Sequence, residues 1–352
     1  MSEPNSHAHL WPGVPLALGS AALFGAAPPL CKLLLDSVNP FMLAGLLYLG
    51  AGIGLALYRL ARGTGAGEAQ LTARDMPWLA LAIGAGGIVA PVLLMFGLSL
   101  NTASSSALLL NLEGLATMAI AWLVYRENVD RRLLLGAFAI LAGAVLLSWQ
   151  GEGVAFNLGA VLVAGACLAW GLDNNFTRRI SATDPVVIAM LKGLVAGVVN
   201  VGLALVAGAS FPPASIVAIT AAVGFFGIGV SLVMFIVALR HLGTARTGAY
   251  YSLAPFIGAL LAIAILGDAI TLKLAVAGLL MGFGLWLHLS ERHEHEHDHE
   301  ELEHEHSHVH DEHHQHHHDG PVSEPHSHWH RHAPMRHRHP HYPDLHHRHG
   351  HG

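Results

Sequence analysis

The sequence predicts an all-α integral membrane protein of ten transmembrane helices, arranged as two inverted five-helix repeats and followed by a disordered histidine-rich tail. Of its 352 residues, 53% are hydrophobic and 12% are charged, about half the charge of a typical soluble chain. Ten apolar runs have membrane-spanning length, and 24 of the 28 histidines lie between His293 and His351. This composition excludes a soluble enzyme, and no basic surface indicates nucleic acid as a partner.

A helix that crosses a bilayer needs about 20 predominantly apolar residues. Such runs cover residues 12–35, 40–58, 77–100, 102–125, 132–149, 156–177, 185–208, 212–239, 244–267 and 272–290. The breaks between them carry turn residues, as at Asn39-Pro40 and Phe211-Pro212-Pro213. A large buried bundle of a soluble protein is the alternative, but it does not account for ten runs of this length.

The cations in the short loops predict the orientation, because such loops are enriched in lysine and arginine on the cytoplasmic side. The loops after the second, fourth, sixth and eighth helices carry ten of these residues. Lys32 and Lys273 are the two near the other helix ends. We therefore expect both termini to face the cytoplasm of a protein that crosses the inner (plasma) membrane many times.

The chain also repeats itself, so that residues 12–149 and 150–290 read as two five-helix units and 291–352 as a separate tail. The aligned positions are Thr102-Ala103 with Thr244-Ala245, Glu127 with Asp268, Phe24-Gly25 with Trp170-Gly171, Lys32 with Arg178, and Pro40 with Pro185. An odd number of helices in each unit inverts the second unit in the membrane. Inverted repeats of this kind build alternating-access transporters.

These motifs resemble the EamA-type permeases of the drug/metabolite transporter superfamily over residues 12–290. The resemblance implies a ten-helix secondary transporter with a central cavity, a small-molecule substrate and, usually, export of metabolites. Two positions depart from the family pattern. Gly114 replaces a proline of the fourth helix whose counterpart Pro255 is retained, and Leu47 replaces an arginine of the second helix, while Lys192 fills the equivalent place in the seventh.

Ionisable groups inside hydrocarbon cost at least about 2.5–3.5 kcal/mol on insertion scales, so those present usually pair or serve a pathway. Glu113 lies near the middle of the fourth helix with no partner apparent at its depth. It is interpreted as a proton- or cation-coupling group, as a residue that hydrogen-bonds a neighbouring helix, or as a buried neutral residue without a role. Asp173 and Lys192 have similar depths and are read either as a mutual ion pair or as lining the substrate route. Lys32 either extends outward along its stem or joins that route.

Polar neighbours complete the candidate substrate and coupling site. Asn111 precedes Glu113 by two residues, Asn174 follows Asp173, and Tyr250 lies before Pro255 in the ninth helix. No catalytic residue is predicted, since the chain is interpreted as a transporter and not as an enzyme.

The tail alternates histidine with glutamate or aspartate and has almost no aliphatic residues, so it cannot bury a core and is expected to be disordered alone. Neutral imidazole binds Zn, Ni and Co well, and at four ligands an ion the 24 histidines would hold about six ions. A cytoplasmic pH sensor or a passive solvated tail are the alternatives. The predicted ligands are His293, His295, His297, His299, His304, His306, His308, His310, His313, His314, His316, His317 and His318.

Two functions follow. The first is a permease that exports a small metabolite and whose tail buffers or senses transition metal; the second is a Zn, Ni or Co transporter whose tail feeds ions to the pore. A membrane-anchored metal sensor is the least favoured, because it leaves the repeat unexplained. The expected partners are the lipid bilayer, a small molecule and transition-metal ions, with a homodimer left open and no cofactor required.

Overall fold

The computed structural model describes residues 13–62, 71–125, 131–149, 157–180, 183–289, 294–299, 302–308, 326–332 and 335–340. Thirteen α-helices run through the part of the chain up to Leu289. They are α1 Gly13–Leu34, α2 Pro40–Arg62, α3 Met76–Ala82, α4 Ala90–Leu100, α5 Ala103–Leu109, α6 Leu112–Tyr125, α7 Arg131–Ser148, α8 Leu158–Arg178, α9 Pro185–Val206, α10 Ala214–Gly224, α11 Ser231–Tyr251, α12 Ala254–Leu266 and α13 Leu272–Leu289.

These helices account for the predicted spans. Within the described residues, eight helical stretches are long and apolar enough to cross a membrane. Two further helices correspond to the remaining predicted spans: α8, which carries the polar cluster Asp173 to Asn175, and the shorter apolar α12. The bundle is thus almost wholly helical and multi-pass, as the sequence predicts.

The third span of each repeat contains a π-helical turn. Ile83–Val89 joins α3 to α4, and Phe225–Val230 joins α10 to α11. Both turns are glycine-containing and lie at the same place in their repeats, counted back from Thr102 and Thr244. Turns of this kind are rare inside helices and concentrate at functional sites. Their occurrence at the same place in both repeats therefore indicates a functional role for the third spans.

The fourth span of each repeat is interrupted. A turn at Leu110 and Asn111 separates α5 from α6, and a turn at Ser252 and Leu253 separates α11 from α12. These breaks are also equivalent in the repeat alignment. The sequence predicts one uninterrupted run in each case, because the apolar pattern continues through both turns.

One predicted boundary differs. The sequence places a loop between runs ending at 239 and beginning at 244, whereas α11 continues without a break from Ser231 to Tyr251. The stretch contains no proline, so every backbone amide within it can donate to a helical carbonyl. The corresponding place in the first repeat does open, at the extended residue Asn101 between α4 and α5.

Glycines allow the helices of the two repeats to pack closely. On α2 and α9, a Cβ added at Gly52 or Gly193 would meet backbone atoms of the other helix. The same holds for Gly136 and Gly284 between α7 and α13. Small residues at such interfaces let helix backbones approach in the membrane, where van der Waals packing drives helix association.

Within the described residues of the tail, four short strands form two antiparallel pairs. β1 Glu294–His299 pairs antiparallel with β4 Met335–Pro340, and β2 Leu302–His308 pairs antiparallel with β3 His326–His332. The physical reason lies in the alternation of histidine with charged residues. Its period of two is the period of a β-strand. The first arm of the tail, residues 294–308, contains acidic residues, whereas the second arm, residues 326–340, contains arginine.

Candidate functional site

The centre of the candidate site is an ion pair between α8 and α9. Nζ of Lys192 donates to both carboxylate oxygens of Asp173, at 2.7 and 2.6 Å. The Oγ1 of Thr177, one turn along α8, donates to Oδ1 of the same carboxylate at 3.0 Å. The Asp173 side chain is 5% exposed and that of Lys192 19%. Of the two sequence alternatives, mutual pairing is therefore present in this structure, with part of the ammonium group's side chain still accessible.

The π-helical turn Ile83–Val89 packs against this ion pair through Gly86. The backbone oxygen of Gly86 accepts hydrogen bonds from the Tyr48 hydroxyl at 2.9 Å and from Nε1 of Trp170 at 3.0 Å. The carboxylate of Asp173 lies so close to the Cα of Gly86 that a Cβ there would overlap it. Only glycine fits at this position while the ion pair is formed.

The neighbouring residues of α8 bind the fourth span. Nδ2 of Asn174 donates to Oε1 of Glu113 at 3.1 Å and to Oγ1 of Thr117 at 3.1 Å. Oγ1 of Thr117 in turn donates to the backbone oxygen of Glu113 at 2.9 Å. The sequence assigns Glu113 no partner, and the structure supplies one. Depth along single helices did not reveal this partner because the side chains meet across two helices.

Open space adjoins this second cluster. Asn174 is exposed, and no atom lies within 4 Å of the position that a Cβ of Gly114 would occupy. Glu113 is the second residue of α6, directly after the break in the fourth span. Two successive residues of α8 thus bind different partners: Asp173 binds Lys192, and Asn174 binds Glu113. The second of these contacts adjoins the open space at Gly114.

Lys32 on α1 contacts the end of the neighbouring helix α4. Its Nζ donates to the backbone oxygens of Leu98 at 2.5 Å and Asn101 at 2.9 Å, at the C-terminal end of α4. A cation is favourable there because the last carbonyls of a helix carry partial negative charge. The hydrogen bonds of Lys32 thus join α1 to the end of α4 and do not involve the residues around Glu113.

Asp268 lies at the same end of the bundle. Its Oδ2 accepts a hydrogen bond of 2.8 Å from the backbone nitrogen of Ser104, in the first turn of α5. Lys32 and Asp268 both line a cleft of about 360 Å³ that also includes Asn101, Thr102 and Asn157. At the opposite end, Nη1 of Arg59 on α2 pairs with Asp184, which caps α9, at 2.5 Å.

Asn111 and Tyr250 are not brought to the Glu113 cluster by the contacts described. Nδ2 of Asn111 donates to the backbone oxygen of Leu108 at 2.8 Å, which satisfies a carbonyl at the break in the fourth span. Tyr250 packs on a small apolar cluster that contains Ala17 and Ala238. Both were predicted from their positions along a helix, which does not determine the face on which a residue lies once the helix is interrupted.

Sequence reasoning missed Gly86, Tyr48 and Thr177. A signal for the first exists, since Gly84, Gly86 and Gly87 lie in a stretch of four residues that ends four residues before Pro91, and glycines at this density weaken a regular helix. The aligned motif contains Trp170, but it does not identify this residue as a hydrogen-bond donor to Gly86. Within the bundle, among the residues that the structure describes, no three His, Cys, Asp or Glu side chains form a group that could hold a metal ion.

Of the predicted metal ligands of the tail, six occupy strand positions of β1 and β2: His295, His297, His299, His304, His306 and His308. The others lie outside the described residues: His293, His310, His313, His314, His316, His317 and His318. Glu127, the predicted counterpart of Asp268, lies outside them as well.

Comparison with known proteins agrees with the architecture. A family model described as the EamA-like transporter family matches residues 11–149 and again residues 157–290. An uncharacterized transporter of Methanothermobacter thermautotrophicus (strain Delta H) is 28% identical over 296 residues, which cover 79% of this chain and 86% of the relative. A protein of known crystal structure superimposes with a TM-score of 0.60 at 20% identity, over 78% of this chain and 95% of the other. That last likeness concerns the fold alone.

Proposed function

The chain belongs to the EamA-like transporter family, whose model matches both halves of the bundle, and on this premise we propose that it exports a small polar metabolite past Glu113, Asp173 and Lys192. The family makes the protein a membrane transporter, which acts within a lipid bilayer on a small molecule. The substrate's polarity, the direction of transport and the residues of the route are our proposal.

One observation carries it: residues 173 and 174 of α8 join two polar clusters inside an otherwise apolar bundle. An ammonium group, two carboxyl groups and an amide come together there, next to the space at Gly114. Charged groups at membrane depth are costly and mark substrate or ion pathways. A charged or strongly polar substrate can exchange with these intramolecular partners, so that polar contacts stay satisfied while it passes.

Glu113 is the proposed coupling group. It lies beside the open space, and its carboxyl accepts a hydrogen bond from the side-chain amide of Asn174, which is exposed. A carboxyl in such a place can take up and release a proton as the substrate moves. A purely structural hydrogen bond between α6 and α8 is the competing role for the same contact.

Contacts at both ends of the bundle support alternating access. Lys32 and Asp268 hold the α4–α5 connection at one end, and Arg59 pairs with Asp184 at the other. In transporters built from inverted repeats, one repeat or bundle rocks against the other around a fixed site. The π-turns and interrupted fourth spans are suitable places for such motion, since their backbone hydrogen bonding is already irregular.

We place the end that carries Arg59 and Asp184, together with both termini, in the cytoplasm, on the basis of the loop cations counted above. The histidine tail would then buffer Zn, Ni or Co ions or regulate transport in response to them. Association as a homodimer stays a prediction.

The tail also favours a second function, in which Zn, Ni or Co is itself the substrate. Histidine is the commonest protein ligand of such ions, so that a tail at the pore mouth could deliver or collect them. The ammonium group of Lys192 argues against this function, because it lies in the site and repels a cation.

Transport by the purified protein in vesicles tests the proposal against this alternative. The assay uses amino acids, nucleosides and the three metals as candidate substrates. We expect flux of a polar metabolite, and a fall of at least about tenfold in the Asp173→Ala/Lys192→Ala double variant, the effect of losing about 1.4 kcal/mol of interaction. Lys273→Ala is the control, since Lys273 binds the Trp149 carbonyl at the bundle end. Metal flux without metabolite flux would establish the second function, and unchanged flux in the double variant would reject the site.

A further inference from the structure

Histidines stand opposite histidines throughout the paired strands of the tail. In the β1–β4 pair and the β2–β3 pair, five register positions have a histidine on both strands. These pairs are His295–His339, His297–His337, His304–His330, His306–His328 and His308–His326. Alternate residues of a strand, and residues directly across from each other, share one face of a sheet. The five pairs therefore form two histidine faces, one in each strand pair.

Opposite charges alternate with these histidines and favour this register. Glu296 stands across from Arg338, Asp298 from Arg336, and Glu303 from Arg331. Opposite charges directly across antiparallel strands are favourable, and like charges are unfavourable. Within residues 294–308 the charged residues are all acidic, and within 326–340 they are all arginine. A slip of one residue would move every histidine of a strand to the other face and would break every histidine–histidine pair.

We propose that the two strand pairs are transition-metal sites, each formed where adjacent register positions set histidine opposite histidine. This inference rests on the metal-binding role proposed above for the tail and adds where the ions bind. Four ligands are the usual number for zinc in a structural site. The β1–β4 pair offers two facing pairs, hence one four-histidine site, and the β2–β3 pair offers three, hence one such site with a pair to spare.

The spacing is suitable for shared ions. Residues directly across antiparallel strands have Cβ atoms about 4.5–5.5 Å apart, and alternate residues along a strand are separated by about 6.6 Å. The backbone register therefore places four histidine positions of each strand pair close together. The site then needs both arms of the tail, including five histidines of the second arm that the ligand prediction from sequence omitted: His326, His328, His330, His337 and His339.

The first test compares two variants that lose the same number of histidines in the full-length purified protein. One replaces His326, His328, His330, His337 and His339 with alanine, and its control replaces His341, His346, His347, His349 and His351, which lie outside both the predicted ligands and the paired strands. Zn²⁺ binding is measured by equilibrium dialysis, and Co²⁺ by the absorption of its tetrahedral complex. We expect the first variant to lose two tightly bound ions or at least about tenfold in affinity, while the control keeps the tight sites and their spectrum.

Equal losses in the two variants would overturn the proposal, because they would indicate a tail that binds ions without pairing. If the unmodified protein binds neither metal, the proposed metal role of the tail fails as a whole. These two failures are distinguished by the unmodified protein alone.

A second test disturbs the register without removing any histidine. Arg331→Glu, Arg336→Glu and Arg338→Glu together set acids opposite acids, and we expect the tight Co²⁺ spectrum to be lost. Adding Glu296→Arg, Asp298→Arg and Glu303→Arg restores opposite charges at the same register and the original net charge. Recovery of the spectrum supports pairing of the two arms. An unchanged spectrum in the first variant, or no recovery in the second, would contradict it.

Discussion

Asp173 and Lys192 stabilise each other, and this mutual dependence gives a measurable signature. Removal of one member of a buried pair leaves an unpaired charge in a low dielectric and costs about 3–5 kcal/mol, whereas removal of both leaves none. We expect Asp173→Ala and Lys192→Ala each to lower the thermal unfolding temperature in detergent more than the double variant does. Losses that simply add in the double variant would show that the two charges do not depend on each other.

Gly86 provides a second test of the same site. A methyl group at this position would overlap the Asp173 carboxylate, and overpacking of this kind costs about 1–3 kcal/mol. We expect Gly86→Ala to destabilise the protein and reduce transport. Gly84→Ala is the matched control, since it makes the same change in the same π-turn where no atom lies within 4 Å. Similar unfolding temperatures for the two variants would contradict the packing of Asp173 on Gly86.

A substitution of Glu113 distinguishes its proposed coupling role from a structural role. Glu113→Gln keeps the size of the side chain and the acceptor oxygen that Asn174 binds, but the amide cannot take up or release a proton. We expect this variant to fold with an unchanged unfolding temperature and to lose coupled transport, as measured by pH-driven flux into vesicles. Normal pH-driven flux would make Glu113 a hydrogen-bonding residue only.

At the scale of single residues, the sequence identifies the ionisable residues within apolar runs but not the residues that they contact. Charged groups in apolar runs identify Glu113, Asp173 and Lys192, because their cost in hydrocarbon requires a reason. Lys32 satisfies the same rule but caps α4, and Asn111 binds a carbonyl at a helix break. Contacts across helices depend on rotation and tilt, which hydrophobicity along one helix does not determine.

At the scale of the helix, apolar length predicts the spans but not their irregularities. The breaks at Leu110 and Ser252 and the two π-turns lie within runs whose overall apolar composition predicts continuous spans. Such interruptions are stabilised by side chains of other helices, as the bonds from Tyr48 and Trp170 to Gly86 illustrate. The continuity of α11 is the converse case, where a predicted loop forms helix.

The close packing of α2 against α9 predicts how a glycine substitution in α9 affects stability. A Cβ at Gly193 would meet the backbone of Gly52, whereas nothing lies within 4 Å of a Cβ at Gly202 on the same helix. We expect Gly193→Ala to lower the unfolding temperature, by the equivalent of about 1–3 kcal/mol of overpacking, and Gly202→Ala to leave it unchanged. Equal tolerance of both substitutions would mean that the two helices pack less closely than described.

At the scale of the whole molecule, different interactions stabilise the bundle and the tail. The bundle helices satisfy their own backbone hydrogen bonds and pack through small residues in an apolar solvent. The tail strands pair with one another, β1 with β4 and β2 with β3, in a segment whose charged and imidazole groups require water. We therefore expect the stability of the bundle not to depend on the tail.

Truncation after Ser290 tests this independence and the role of the metal together. We expect the truncated protein to insert and to keep its unfolding temperature, while the full chain binds Zn²⁺ with an affinity that falls steeply below pH ~6, because protonated imidazole cannot bind a metal. If the metal only regulates, metabolite flux into vesicles persists in the truncated protein and no longer responds to Zn²⁺. A loss of Zn²⁺, Ni²⁺ or Co²⁺ flux on truncation would instead make the metal the substrate. A truncated protein that unfolds at lower temperature would show that the tail contributes to the bundle after all.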